Sequence, residues 1–139
     1  MKTFIISILV LLLLITGIFA YSAYLEKTTS KLSENLHLLA ENLKKEHWEN
    51  CTERINKLVK YWKTNEPILA MFNDHEDVDH IKLSISELKV YIENRNQDEA
   101  LKTLEEALIY LERIRKNENL SLENVLSLTH GSLSCHIML

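Results

Sequence analysis

The densest cluster of side chains that could bind a metal lies in the segment FNDHEDVDH, residues 72–80. His75 precedes Asp79 by four positions, and Glu76 precedes His80 by the same interval. Residues four apart share one face of a helix, so each pair can present an imidazole and a carboxylate to a divalent cation. His75, Asp79 and His80 are therefore the candidate metal ligands of this sequence.

A second interpretation of the same segment needs no metal. Zinc sites usually have three or four converging ligands, and this segment offers no third direction of approach. Acidic side chains at the start of a helix interact favourably with the positive end of its dipole, and Asp74, Glu76 and Asp77 stand where such a start is expected. The sequence favours this capping role, and we predict no metal and no cofactor.

Sequence motifs that carry catalysis are absent. The chain has neither a G-x-S-x-G nor an H-E-x-x-H pattern, and its two glycines, Gly17 and Gly131, are too few for a phosphate-binding loop. Cys51 and Cys135 could form a disulfide on the oxidising side of a membrane; alternatively, Cys51 is a small core residue and Cys135 a tail thiol. We expect no enzymatic activity.

Two apolar stripes with helical spacing precede the acidic cluster. The first consists of leucines three or four residues apart, and the second runs with the same spacing from Trp48 to Trp62. A five-residue step from Leu43 to Trp48 shifts the phase, which a bend, a separate helix or a new packing partner would each explain. We predict a protein-binding surface formed by Leu32, Leu36, Leu39, Leu43, Trp48 and Trp62. Two tryptophans fourteen residues apart on one helix face are, however, more often core residues than a partner-binding patch.

The first 25 residues predict a membrane anchor. The run from Thr3 to Leu25 has no charged side chain, and as a helix it would be about 34 Å long, enough to cross a hydrocarbon core of about 30 Å. Tyr21 and Tyr24 lie at its end, as in an interfacial aromatic belt. A signal peptide cleaved after the small-x-small motif Ala20-Tyr21-Ser22 is the alternative, but the apolar run exceeds the usual length of about 7–15 residues.

The flanking charges predict an orientation. Lys2 and the amino terminus are positive on the short side, whereas Glu26, Lys27, Lys31 and Glu34 cancel on the other side. The positive-inside rule then keeps the amino terminus in the cytoplasm and places the following domain outside the cell membrane.

The remaining chain predicts an all-α fold. All 20 acidic residues and all 16 basic residues except Lys2 follow residue 25, so this part carries a formal charge of −5, which argues against nucleic acid as a partner. Gly and Pro are almost absent, which excludes a β-rich fold. After the transmembrane anchor 1–25 we predict a helical stalk over 26–63, a small bundle with an antiparallel helical hairpin over 64–126, and a tail over 127–139. Within the bundle, Pro67 is expected in the first turn of a new short helix, and Ser121 is expected to cap a further short helix.

Four segments carry a resemblance to a known family: the apolar start, WENCTERINKLVKYW, ISELKVYIENRNQDEALKTLEEALIYLERI and LSLENVL. Over residues 1–126 the chain resembles an uncharacterised family of small single-span membrane proteins from Gram-positive bacteria, known only as a domain of unknown function. The resemblance implies a bacterial membrane-anchored helical protein and brings no catalytic residues.

These observations predict a function in binding. We expect an extracytoplasmic helical module that contacts membrane lipid through residues 3–25 and docks on a membrane or envelope protein, or on a second copy of itself. The alternative is a surface domain that senses a small ligand or a metal near His75–His80.

Overall fold

The computed structural model describes residues 2–130, and the side chains of residues 3–117. Within this range the chain forms four α-helices and no strand: α1 (Lys2–Lys44), α2 (Trp48–Phe72), α3 (His75–Glu93) and α4 (Gln97–His130). The predicted all-α fold is thus confirmed for the described residues.

The helices form an antiparallel bundle in which each helix packs against two others: α1 against α2, α2 against α3, α3 against α4, and α4 against α1. The register between α3 and α4 follows from two contacts, the Asp77–Arg113 ion pair and the stacked rings of His80 and Tyr110. Later residues of α3 therefore meet earlier residues of α4, as in the predicted hairpin. Turns of two or three residues leave neighbouring helices no other arrangement.

The core runs along the axis of this bundle. All four helices supply it with side chains at intervals of three or four residues, so one stripe of each helix is buried. The contribution of α1 is Leu25, Leu32, Leu36, Leu39 and Leu43, and that of α2 is Cys51, Ile55, Leu58, Trp62 and Leu69. The periodicity that predicts helices therefore also marks the buried face.

α1 has two halves with opposite environments. Residues 3–20 are exposed along their whole length, including the large apolar side chains from Phe4 to Phe19. Leu25 and the later leucines of the same helix are buried in the bundle. α1 is therefore long and apolar enough to cross a membrane, and it continues without a break into the folded domain.

The structure differs from the predicted stalk. A turn at residues 45–47 separates α1 from α2 and folds α2 back along α1. The backbone of Glu46 is left-handed (φ 55°), and the amides of Glu46 and His47 donate to the carbonyls of Leu43 and Asn42, which is a Schellman ending. The phase shift after Leu43 thus reflects two separate helices, which was one of the three explanations left open.

α2 also extends further than Pro67 suggested. Pro67 lies inside the helix, whereas the sequence predicted that it would begin a new one. Proline removes one backbone hydrogen bond, and the burial of Leu69 beyond it favours continuation of the helix. α4 likewise continues through Ser121, where a short separate helix was expected.

Candidate functional site

A cavity of about 630 Å³ lies where the apolar half of α1 enters the bundle. Its wall on the α1 side is formed by Leu13, Leu14, Gly17, Ile18 and Tyr21. The opposite side is formed by residues of α2, α3, α4 and the turn between α2 and α3, namely Phe72, Asn73, Asp74, Asp77, Ile114 and Asn117. The cavity therefore has an apolar wall next to a group of two carboxylates and two amides.

Asp77 is the most unusual residue of this cavity because its carboxylate is 1 % exposed. The guanidinium of Arg113 approaches it, with 3.3 Å between Nη2 and Oδ1, yet neither carboxylate oxygen has a hydrogen bond of good geometry. Asp77 lies in the first turn of α3, where the helix dipole favours a negative charge. A buried carboxylate that is only loosely paired has the capacity to accept a hydrogen bond from a ligand.

Polar side chains tie the neck of the bundle together. The hydroxyl of Tyr24 donates to Oδ1 of Asn65 (2.6 Å), and the amide of Asn73 donates to the hydroxyl of Tyr21 (2.7 Å). The rings of Tyr21 and Phe72 are 4.4 Å apart. The predicted aromatic belt therefore lies at the level where the exposed apolar run of α1 ends, and both tyrosines also contact α2 or the turn after it.

The predicted metal ligands do not converge. His75 and Asp79 are exposed, whereas His80 stacks on the ring of Tyr110 with centroids 4.3 Å apart. Across the part of the chain that the structure describes, no group of three or more His, Cys, Asp or Glu side chains is placed to hold a metal. The capping interpretation is supported, since the Asp74 carboxylate accepts a hydrogen bond from the amide of Glu76 (2.9 Å).

The predicted protein-binding residues lie in the core instead of on a free surface. Leu32, Leu36, Leu39, Leu43 and Trp62 are buried, and Trp48 is half-buried against them. These side chains are buried because α2 and α4 fold onto the leucine face of α1 and cover it. An apolar stripe on a helix indicates burial, and the sequence does not tell whether the covering helix comes from the same chain.

Sequence reasoning missed the apolar side chains that do remain exposed on the bundle. Leu83 and Val90 lie seven residues apart on the outer face of α3, and Ile109 lies on the outer face of α4. A second group, Ile68, Met71 and Phe72, lies at the end of α2. Each of these residues interrupts the polar face of its helix, and this interruption is the sequence signal that could have identified them.

Three titrating groups away from the cavity have displaced pKa values. Burial raises the pKa of the Cys51 thiol, although Arg54 opposes this. The hydrogen bond to Glu66 (2.7 Å) raises the pKa of Lys82 and joins α2 to α3, and the hydrogen bond from Lys57 lowers the pKa of Glu53 on the surface of α2. Cys135 lies outside the described residues, so the structure tests neither of the two alternatives for these cysteines.

The fold and the cavity define a class of protein: a small antiparallel four-helix bundle, over the described residues, whose first helix continues as an apolar segment of membrane-spanning length. The chain belongs to the family described as a domain of unknown function (DUF4363), which matches residues 19–125. This match begins at the end of the exposed apolar run and covers the bundle. No curated protein and no solved structure matches the chain.

Proposed function

We propose that this protein is a membrane-anchored interaction module of a Gram-positive bacterium. Its apolar helix segment crosses the cell membrane with the amino terminus in the cytoplasm, and its bundle docks on another membrane or envelope protein, or on a second copy, outside the cell. The observation that supports this most directly is α1, which is fully exposed and apolar over residues 3–20 and buried in the bundle from Leu25 onward.

The continuity of α1 has a mechanical consequence. A flexible linker would let the bundle move freely above the membrane, whereas one uninterrupted helix restrains the bundle relative to the anchor. Anchoring also raises the effective concentration of any partner in the same membrane, so a small interface is sufficient for function.

The docking surface in this proposal is the outer face of α3. Leu83 and Val90 are more than half exposed and lie on one side of the helix, separated by about two turns. A partner helix that packs along this face would cover both side chains, as in helix-in-groove recognition. This face replaces the buried stripe of Leu32–Leu43 as the proposed site of contact.

The test compares two charge substitutions in the full-length chain. Leu83→Glu together with Val90→Glu should abolish chemical cross-linking of the protein to its partner in intact membranes. Mass spectrometry identifies the cross-linked species. Each single variant, Leu83→Glu and Val90→Glu, is also compared with Ile109→Glu, which adds the same one charge at a similarly exposed apolar position on α4. Unchanged cross-linking by the double variant, with an unchanged circular dichroism spectrum, would refute the α3 face.

The cavity favours a second candidate function, the sensing of a small amphipathic ligand. Its apolar wall suits a hydrocarbon chain, and the loosely paired carboxylate of Asp77 suits a polar head that donates hydrogen bonds. Native mass spectrometry of the protein purified in mild detergent should then show a bound small molecule that Asp77→Asn loses. Asp79→Asn, a change of the same type at an exposed position two residues away, should retain it.

A further inference from the structure

Three exposed apolar side chains form one face at the end of α2. Met71 and Phe72 follow Ile68 by three and four residues, so the three side chains share one side of the last turns of the helix. Met71 is 73 % exposed and Phe72 is 60 % exposed, which is unusual for side chains of this size in water. The turn that follows, Asn73 and Asp74, connects to α3.

This face lies at the height where the apolar run of α1 ends. The Phe72 ring contacts the ring of Tyr21, and Asn73 donates a hydrogen bond to the Tyr21 hydroxyl (2.7 Å). Tyr21 directly follows the exposed segment 3–20. The exposed apolar surface of α1 and that of α2 are therefore continuous across the neck of the bundle.

The opposite end of the bundle lacks such a face. The turns at residues 45–47 and 94–96 consist of charged and amide or imidazole side chains, and no large exposed apolar residue lies within either turn. Single exposed apolar side chains do precede these turns, Leu38 at 37 % and Val90 at 52 % exposure. Among the turns described, only the one after α2 follows a group of three, and it lies on the side of the apolar run.

We propose that the end of α2 is a second membrane contact, in which Ile68, Met71 and Phe72 insert into the interfacial region of the lipid bilayer. This inference rests on the proposed anchoring through α1. The aromatic ring and the thioether side chain suit the boundary between headgroups and acyl chains, where apolar surface leaves water without entering the centre of the bilayer.

The charges around the turn specify the type of lipid surface. Asp74, His75 and Glu76 are exposed directly after the apolar face. The neighbouring cations Lys82 and Arg113 are each paired with an acidic side chain, Glu66 and Asp77. A polybasic contact with anionic lipids is therefore not available here. The turn binds a zwitterionic phospholipid surface by apolar insertion, so its contact should be insensitive to salt.

Two points of contact would fix the orientation of the bundle. A single helix through the membrane leaves the bundle free to rotate about the axis of that helix. Insertion of the α2 end removes this rotation and presents one side of the bundle, which carries the exposed face of α3, in a constant direction.

The experiment measures how deeply a fluorophore at position 71 enters the bilayer. Met71→Cys is made in a Cys135→Ser background of the full-length chain, labelled with an environment-sensitive fluorophore, and reconstituted into phosphatidylcholine vesicles with and without nitroxide-labelled lipid. Cys51 is buried and should not be labelled in the folded protein. The matched control is Val90→Cys, which places the label at an exposed apolar position near the other end of α3.

The expected result is a blue-shifted emission at position 71 that the nitroxide lipid quenches, at low and at high salt, with no quenching at position 90. Vesicles that float with the protein while position 71 stays unquenched would overturn the second contact and leave the anchoring intact. A blue shift without quenching would mean that a second copy covers the face, which also overturns it. Protein that does not float with vesicles would remove the anchoring and this inference together.

If Met71→Cys does not fold, Ile68→Cys tests the same face one turn earlier. Its side chain is less exposed, so the label should show weaker quenching than at position 71 but more than at position 90. If the protein floats with the vesicles and the label is quenched neither at position 68 nor at position 90, the proposal is contradicted.

Discussion

Two residues end helices in a conformation that usually belongs to glycine. Glu46 and Arg95 have φ angles of 55° and 54°, and both stand at the left-handed position of a Schellman ending. Side chains with a Cβ atom are strained there, at a cost of about 1 kcal/mol or more. The turns at residues 45–47 and 94–96 therefore keep a backbone conformation that their own residues disfavour, because the packing of the helices on either side fixes it.

Replacing Arg95 by glycine should stabilise the protein. Arg95→Gly relieves the strain but adds freedom to the unfolded chain, so the free energy of unfolding should rise by about 0.5–1 kcal/mol in chemical denaturation. Asn94→Gly is the control at a position with an ordinary φ of −86°, and it should destabilise the protein slightly. A loss of stability in Arg95→Gly would show that the arginine side chain contributes more than its backbone costs.

Cys51 should be chemically inert in the folded protein. Its thiol is fully buried, and burial raises its pKa, so the reactive thiolate is scarce at pH 8. Iodoacetamide should modify Cys51 only after denaturation, which peptide mass spectrometry would detect in a Cys135→Ser variant.

The same shift makes stability depend on pH in the alkaline range. The folded pKa lies above the unfolded pKa, so the stabilising effect is complete below the unfolded pKa and is lost as the pH rises through the folded pKa. Cys51→Ala should lack this alkaline loss. Rapid alkylation of the native protein at pH 8 would contradict the buried position of the thiol.

At the scale of elements, α1 joins two environments in one helix. Residues 3–20 are exposed and face the bundle at the cavity wall, whereas the second half of the helix supplies a full stripe of the core. The Gln97 amide at the start of α4 donates to the carbonyl of Leu43 (2.6 Å) near the end of α1. The end of α1 is thereby fixed to the adjacent helix.

A leucine of this stripe should be necessary for folding. Leu36 is 1 % exposed, so Leu36→Ala should lower the free energy of unfolding by about 2–5 kcal/mol, through lost burial and a new cavity. Leu38→Ala, on the exposed side of the same helix, should change it by less than about 1 kcal/mol. If thermal denaturation of the two variants gave the same result, α1 would not be packed in the bundle as described.

At the scale of the whole molecule, the proposed direction of the chain in the membrane rests on α1 and the charges that flank it. The proposal places the amino terminus in the cytoplasm and the bundle outside, in agreement with the positive-inside rule. The net negative charge of the chain does not bind the bundle to an anionic membrane surface, so orientation depends on the helix and on the apolar contact at the end of α2.

Reporter fusions at the carboxyl terminus should confirm this direction. An alkaline phosphatase fusion, active only outside the cytoplasm, should be active in cells, and a cytoplasmic fluorescent reporter at the same position should not fluoresce. As a control, the same two reporters fused after residue 2 should give the opposite result, with an inactive phosphatase and a fluorescent reporter. An inverted pattern would place the bundle in the cytoplasm and refute the proposed location.

The extent to which the fold was predictable can be seen in particular residues. The leucines at 32, 36, 39 and 43 predict a helix correctly, because their period is a local property of the chain. The turn at Glu46 was not predicted, because no glycine or proline marks it and a charged residue adopts the left-handed conformation there. Pro67 was misleading in the opposite sense, since α2 continues through it.

The cavity could not be predicted from the sequence either. Asp77 looks like an ordinary acidic residue of a helix start, and its burial depends on Arg113 from α4 and on the neighbouring apolar half of α1. His75 and Asp79 have the same local spacing pattern but lie on the exposed side of α3. A nine-residue segment with seven polar side chains does not tell which of its carboxylates faces another helix.

The sequence alone determined the helical class, the apolar segment of spanning length and the stripes of side chains that must leave water. These are consequences of composition and period, which act within a few turns of one helix. Only the tertiary structure decided which surface covers each stripe. The leucines of α1 are covered by the chain's own helices, whereas Leu83, Val90, Met71 and Phe72 stay exposed, because burial depends on contacts between residues that are distant in the sequence.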